Sequence, residues 1–265
     1  LLLVLAAISA SQADAQIPIS TVEELQRIGN DAAYPLGGYY ILAQDIDATA
    51  TANWNDGAGF IPLGEFTGTF DGQGHVIDGL TINRPKTNYV GLFSKLGGAS
   101  VIEHIGVTNC AITAKDYAGG LAGKVSTGIA LTDCYTTGIL QGGKCTGGLA
   151  GIVDEAALTD CYASVTVSGE NNVGGLLGYA DTATLKGCFA SGAVTGKIDT
   201  GGLVGDGGAV FSDCYATGPV IGTDCVGGLC GRNIGTVASC YATGSATGGD
   251  NTVGLIGSGS GTITS

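Results

Sequence analysis

Residues 212–231 read SDCYATGPVIGTDCVGGLCG, and the same phrases return as GCFASG at 187–192 and SCYATG at 239–244. Two landmarks in this stretch, the cysteine and the Gly-Gly-Leu, can be followed through most of the chain. The leucine of Gly-Leu or Gly-Gly-Leu falls at Leu92, Leu121, Leu149, Leu176, Leu203, Leu229 and Leu255, in steps of 29, 28, 27, 27, 26 and 26. Cysteines fall at Cys110, Cys134, Cys161, Cys188, Cys214 and Cys240 and settle to the same step. From each of the last five cysteines to the next leucine is 15 residues, whereas the return arc shortens from 13 to 11. One arc is fixed and the other tolerates loop changes, as expected for stacked repeats.

The runs between glycines are too short for helices and rich in Val, Ile, Thr and Tyr. A coil of 26–28 residues with three such runs predicts an all-β parallel β-helix, a solenoid whose rungs stack about 4.8 Å apart. Side chains alternate faces along a strand. Counted from each cysteine, the even positions hold Thr136, Ala163, Ala190, Ala216 and Ala242, then Leu140, Val167, Val194, Val220 and Ala246. These are read as interior. The odd positions hold Tyr135, Tyr162, Phe189, Tyr215 and Tyr241, then Thr137, Ser164, Ser191, Thr217 and Thr243, read as exterior. The pattern alone leaves the opposite parity open. Asp, Asn or Gly usually precedes the cysteine, residue types that accept a left-handed corner. Gly142, Gly169, Gly196, Gly222 and Gly248 mark the next corner.

Composition agrees with this reading. The 265 residues include 49 glycines, with 44% hydrophobic and 12% charged residues, enough apolar surface to exclude disorder. A formal charge of −13 makes nucleic acid an improbable partner. Residues 1–15 have an apolar run and an Ala13-Asp14-Ala15 cleavage pattern, the marks of a signal peptide truncated at its start. Secretion or a cell-surface location follows as an expectation, with no membrane span beyond that leader. Residues 16–89 are expected to form a cap and irregular first coils. Ser20-Thr21-Val22-Glu23 and Thr21 to Glu24 both fit a capping box, predicting a short helix over about 21–28 that covers the solenoid end. Strands are expected at 39–44 and within 65–82. Residues 90–265 carry the regular repeats, which are expected to continue beyond the last residue given.

The stretches FTGTFDGQGHVIDGLTI (66–82), NYVGLF (88–93), VGGLLG (173–178), TGGLVG (200–205) and DCYATG (213–218) resemble GLUG-motif proteins. The resemblance covers about residues 18–257. It implies a bacterial extracellular β-solenoid, similar to non-catalytic repeats of immunoglobulin-A-cleaving metallopeptidases and of surface adhesins. It implies a module of a larger multi-domain chain and no particular activity.

The residues themselves offer little chemistry. Histidine occurs only at His75 and His104, without a His-Glu-x-x-His zinc motif, a Gly-x-Ser-x-Gly elbow or a phosphate loop. His75 reads as a turn or strand residue. No catalytic residue, metal ligand or cofactor is assigned. The column Cys110, Cys134, Cys161, Cys188, Cys214 and Cys240 is read as an unbridged ladder of small buried thiols, because a disulfide would pinch adjacent rungs. Cys145 and Cys225 share another column three coils apart, and Cys230 replaces an aliphatic residue. Asp133, Asp160 and Asp213 are read as corner residues; Asp154, Glu155, Asp181 and Asp206 as solvating charge in the variable arc. The column Tyr135, Tyr162, Phe189, Tyr215 and Tyr241 is the one candidate contact stripe, for glycans or surface proteins. Three readings result: a non-catalytic module for adhesion, spacing or presentation; a glycan-binding module; and a polysaccharide-degrading β-helix enzyme.

Overall fold

The computed structural model describes residues 16–264, so the leader expected at 1–15 lies outside the described residues. The chain winds into a parallel β-solenoid with sheets of 10, 12 and 8 strands along its length and a fourth, of 5 strands, from Thr146 to Val253. In the coil 157–183, Ala157–Thr159 lies in the first sheet and Tyr162–Ser168 in the second. Asn171–Gly174 then joins the five-stranded sheet and Leu177–Asp181 the eight-stranded one. From Ala130 onward the coils therefore carry a further strand, in the five-stranded sheet, beyond the three runs expected. The reason is the Gly-Gly pair, which is a bend between two sheets and not part of one run.

Glycine is used there for want of space. A Cβ on Gly175 would strike the Gly202 carbonyl oxygen and stand 2.8 Å from the Ala190 Cβ. Gly148, Gly202 and Gly228 meet Ala163, Ala216 and Ala242 in the same way, so the interior here is one glycine and one alanine wide. That explains the alanine of Cys-Tyr-Ala. In the rung where threonine replaces it, the Thr136 hydroxyl donates to the Gly148 carbonyl at 2.8 Å.

The parity of the second sheet is Cys inward and Tyr outward: Cys134, Cys161, Cys188 and Cys214 are buried with Ala163, Ala190 and Ala216, while the rings lie half-exposed outside. The preceding corner is left-handed in seven successive rungs, at Gly74, His104, Asp133, Asp160, Gly187, Asp213 and Ser239. A second left-handed corner, two residues before each glycine bend, runs through Tyr89, Tyr117, Cys145, Asn172, Asp199, Cys225 and Asn251, with φ between 50° and 60°. It was not anticipated, because Tyr and Cys rarely take this conformation.

Thr21 caps the helix Val22–Arg27, its hydroxyl accepting from the Glu24 N–H at 3.2 Å. The Glu24 carboxylate accepts from the Ser20 N–H at 2.8 Å, so the reciprocal bond of the box is displaced by one residue. Val22, Leu25 and Ile28 point into the N-terminal end of the core. Strands occupy Tyr39–Leu42, Leu63–Phe66, Thr69–Asp71, Val76–Asp78 and Thr81–Arg84. Between them Thr49–Gly57 forms an unanticipated 3-10 segment broken at Trp54, Asn55 and Asp56.

One member of the expected thiol column is misplaced. Gly106 pairs with Tyr135, so the rung position before Cys134 belongs to Ile105, while Cys110 pairs with Gly138 in another column. The strand Gly106–Ala114 bulges between Val107 and Cys110, which carries Cys110 past the corner. Cys110 stands only 11 residues before Leu121, against 15 in the other rungs; that spacing was the available signal. Among the described residues no helix is long and apolar enough to cross a membrane.

Candidate functional site

The aromatic column is a continuous stack. Tyr135, Tyr162, Phe189, Tyr215 and Tyr241 follow one another with ring centroids 4.7, 4.6, 4.8 and 5.1 Å apart and planes within 4° of parallel. In-register pairing produces this directly, because identical residues on adjacent parallel strands superpose. Tyr135 lies over Gly106, where a Cβ would collide with the ring. The ring faces are therefore occupied by one another, and their edges and hydroxyls turn to solvent. Tyr241, 52% exposed, carries the open face of the stack.

Behind the rings lies the thiol ladder of Cys134, Cys161, Cys188, Cys214 and Cys240. All nine cysteines of the chain are free thiols in the structure. The Cys161 Sγ lies 3.4 Å from the Thr159 carbonyl and 3.5 Å from that of Leu131, and its neighbours repeat the arrangement. The adjacent Cys161 thiol and then burial push Cys188 up to about 12; Cys188 and burial do the same to Cys214. Burial pushes Cys110 up to about 12 and Cys145 to about 11. Such thiols carry little thiolate at neutral pH and act as small hydrophobes.

At the N-terminal end of the stack a cleft of about 320 Å³ opens beside Gly74, His104, Asp133, Tyr135, Asp160 and Tyr162. His104 Nδ1 faces Asp71 Oδ1 at 3.2 Å and Nε2 faces Asp133 Oδ2 at 3.7 Å. Asp71 is buried and also accepts from the backbone and side chain of Gln73. His75 is not a bare turn residue: its Nδ1 meets Asp45 at 3.0 Å, and this bond holds the Asp45 carboxyl below the usual carboxylate range. The corner positions of Asp133, Asp160 and Asp213 are as the sequence indicated, but the grouping around His104 depends on the bulged register and was missed.

A second cluster corrects the reading of Asp206 as solvating loop charge. Asp206 sits in the strand Val204–Gly207, is 5% exposed, and receives Arg232 through two bonds of 2.8 and 2.6 Å. Asn172 donates to it at 3.2 Å, and Asp199 lies 3.8 Å from the same guanidinium. Asp154 likewise ends a strand and pairs with Lys124 at 2.7 Å. Arg232 and Asp206 are register partners one rung apart, so the pair clamps successive coils.

Two segments, 142–168 and 169–195, match the family model described as the GLUG motif. Each spans one complete coil, from one corner glycine to the residue before the next. The chain carries GLUG-motif repeats. Halomucin from Haloquadratum walsbyi is 38% identical over 145 residues, covering 51% of this chain and 2% of its own length. A candidate Gly-rich membrane protein from Evansella cellulosilytica is 35% identical over 97 residues, covering 35% of this chain and 11% of its own. The chain thus spans a small fraction of the length of these relatives. In three dimensions it resembles a candidate immunoglobulin A1 protease from Bacteroides ovatus, with TM-score 0.74, 20% identity, and coverage of 96% of this chain and 85% of that one. At this identity the likeness concerns the fold.

Proposed function

We propose that the chain is a non-catalytic extracellular module that spaces or presents contacts at a cell surface. One observation carries the reading: from Tyr135 to Tyr241 an aromatic side chain projects at every rung in unbroken register. A solenoid of this kind is stiff along its axis and offers a one-dimensional array, which suits repeated weak contacts whose avidity exceeds each single affinity. Similar repeats occupying a few per cent of Halomucin, and part of a membrane protein, agree with a segment reused inside long surface chains.

The stacking favours this reading over glycan capture by ring faces. Sugars held by aromatic side chains lie against an open face, and here the faces are spent within the column. Beads coated with the purified chain should be retained under flow on surfaces bearing cell-wall or mucin polymers, without release of reducing sugar or peptide. Loss of retention in a Tyr162→Ala plus Tyr215→Ala double variant would transfer the weight to glycan binding. Turnover abolished by Asp133→Asn plus Asp160→Asn would overturn the non-catalytic assignment.

A further inference from the structure

Among the described residues the corner around His104 is the place where an imidazole and carboxylates from successive rungs converge. Ligand atoms of Asp71, Glu103 and His104 lie within 4.8 Å of one another. Asp71 and Glu103 are register partners on adjacent strands, and like charges directly opposite are destabilising. Asp133 and Asp160 continue the negative charge at the corner in the next two rungs. Among the described residues no lysine or arginine forms an ion pair with any of these four carboxylates. His104 alone stands between them. A cation is what this arrangement lacks.

We propose that Asp71, Glu103 and His104 bind one divalent transition-metal ion, with Zn²⁺ as the best fit. The His104 Nδ1 to Asp71 Oδ1 distance of 3.2 Å matches neighbouring corners of one tetrahedral shell. With bonds near 2.0–2.1 Å, that edge is about 3.3 Å. The ion would take the place of the imidazole proton facing Asp71, whose oxygens keep their bonds from Gln73. Asp133, 3.7 Å from Nε2 on the far side of the ring, is just beyond hydrogen-bond distance and would accept the remaining N–H after a small rotation of its side chain. A carboxylate in that position fixes the tautomer and raises the basicity of a metal-bound histidine. The imidazole argues for Zn²⁺, or Co²⁺ as its spectroscopic stand-in, over Ca²⁺, Mg²⁺ or Mn²⁺, which favour oxygen ligands. A bound ion would tie two rungs through its ligands and a third through Asp133.

The test uses the purified chain stripped with EDTA, titrated with ZnCl₂ by calorimetry and with CoCl₂ by visible absorption. One equivalent should bind, raise the thermal midpoint, and give cobalt ligand-field bands without thiolate-to-cobalt charge transfer. His104→Asn, chosen because Asn accepts the left-handed backbone at φ 52°, should lose affinity at least about tenfold. Glu103→Gln should do the same, with midpoints in EDTA close to the parent for both. Unchanged affinity in both variants, a thiolate charge-transfer band, or no binding heat would each overturn the site and leave His104 and Asp71 as a plain hydrogen bond.

Discussion

The solenoid is filled in two different ways along its length. In the first coils Tyr40, Phe66, Phe70 and Phe93 are fully buried and meet at tilted or edge-on angles, with centroids 5.0 to 6.3 Å apart. In the regular coils the stacked rings are outside and parallel, and the interior holds mainly Cys, Ala, Val, Leu, Ile and Gly, with Phe211 buried between Leu185 and Val237 as the exception. The first region is specified by shape, since each ring has neighbours found nowhere else in the chain. The second is specified by translation, since each side chain packs on a copy of itself. Removing volume should therefore do most harm in the wide region, and adding it most harm in the narrow one.

Two substitutions set these against each other. Phe93→Ala empties a site between Phe66 and Phe70 and should cost about 4 kcal/mol, read from chemical denaturation. Gly175→Ala adds a single methyl where the Gly202 carbonyl and Ala190 already touch, and should cost about 3 kcal/mol. Gly74 is the control. It is left-handed at φ 80° with nothing within 4 Å of a Cβ, so Gly74→Ala should cost only about 1 kcal/mol. Equal losses at Gly175 and Gly74 would mean that backbone conformation, not width, selects glycine in the repeat.

What could be read beforehand divides along the same line. The repeat was legible because translation writes itself into sequence: a fixed 15-residue arc set the coil, and period-two alternation put Cys134 and Tyr135 on opposite faces, with burial then showing which face is inside. The irregular coils kept no such record. The bulge before Cys110 shifts register without any residue type that announces it, and so hid the partnership of His104 with Asp71 and Asp133. The corner at Cys145 and Asp199 was hidden for another reason. At Cys145 the left-handed backbone is held by hydrogen bonds between rungs, such as the Cys145 N–H to the Asn171 carbonyl at 2.9 Å, and not by a permissive side chain, so the mixed residue types of the column conceal the corner that Asp199 shares.

The clamp at Arg232 tests whether nearest-neighbour ties matter in the narrow region. Arg232→Ala leaves Asp206 buried without its cation. Because the guanidinium side chain is 49% exposed, the cost should fall to about 2 kcal/mol, below the range for fully buried pairs. The ladder should be weaker still per residue. Cys161→Ala removes one sulfur from a stack that remains on both sides and should cost about 1 kcal/mol. Labelling with iodoacetamide at pH 8 without reductant provides a check on its chemistry. Half-exposed Cys145, Cys225 and Cys240 should react first, the buried Cys134, Cys161, Cys188 and Cys214 only on unfolding, and all nine thiols in denaturant. Fewer than nine would mean that some are bridged.

The smallest effect concerns Asp199, which shares the left-handed corner column with Asn172 and Asn251. Burial, and then the charge of Asp206, raise its carboxyl above the ordinary value of 3.8, against the opposing pull of Arg232. A raised carboxylate in the folded state favours folding below its unfolded value and loses that contribution as pH climbs through the folded one. Ionised Asp199 is then a net cost at pH 7, despite its nearby cation. Asp199→Asn keeps the side-chain shape, suits the corner, and removes the charge. Its thermal midpoint should be slightly above the parent at pH 7, with the gain gone near pH 3, where the parent carboxyl is protonated. A midpoint that falls at pH 7 would show the opposite: that Arg232 serves both carboxylates, and that the narrow coils are held by a three-residue ionic clamp, not by a single pair.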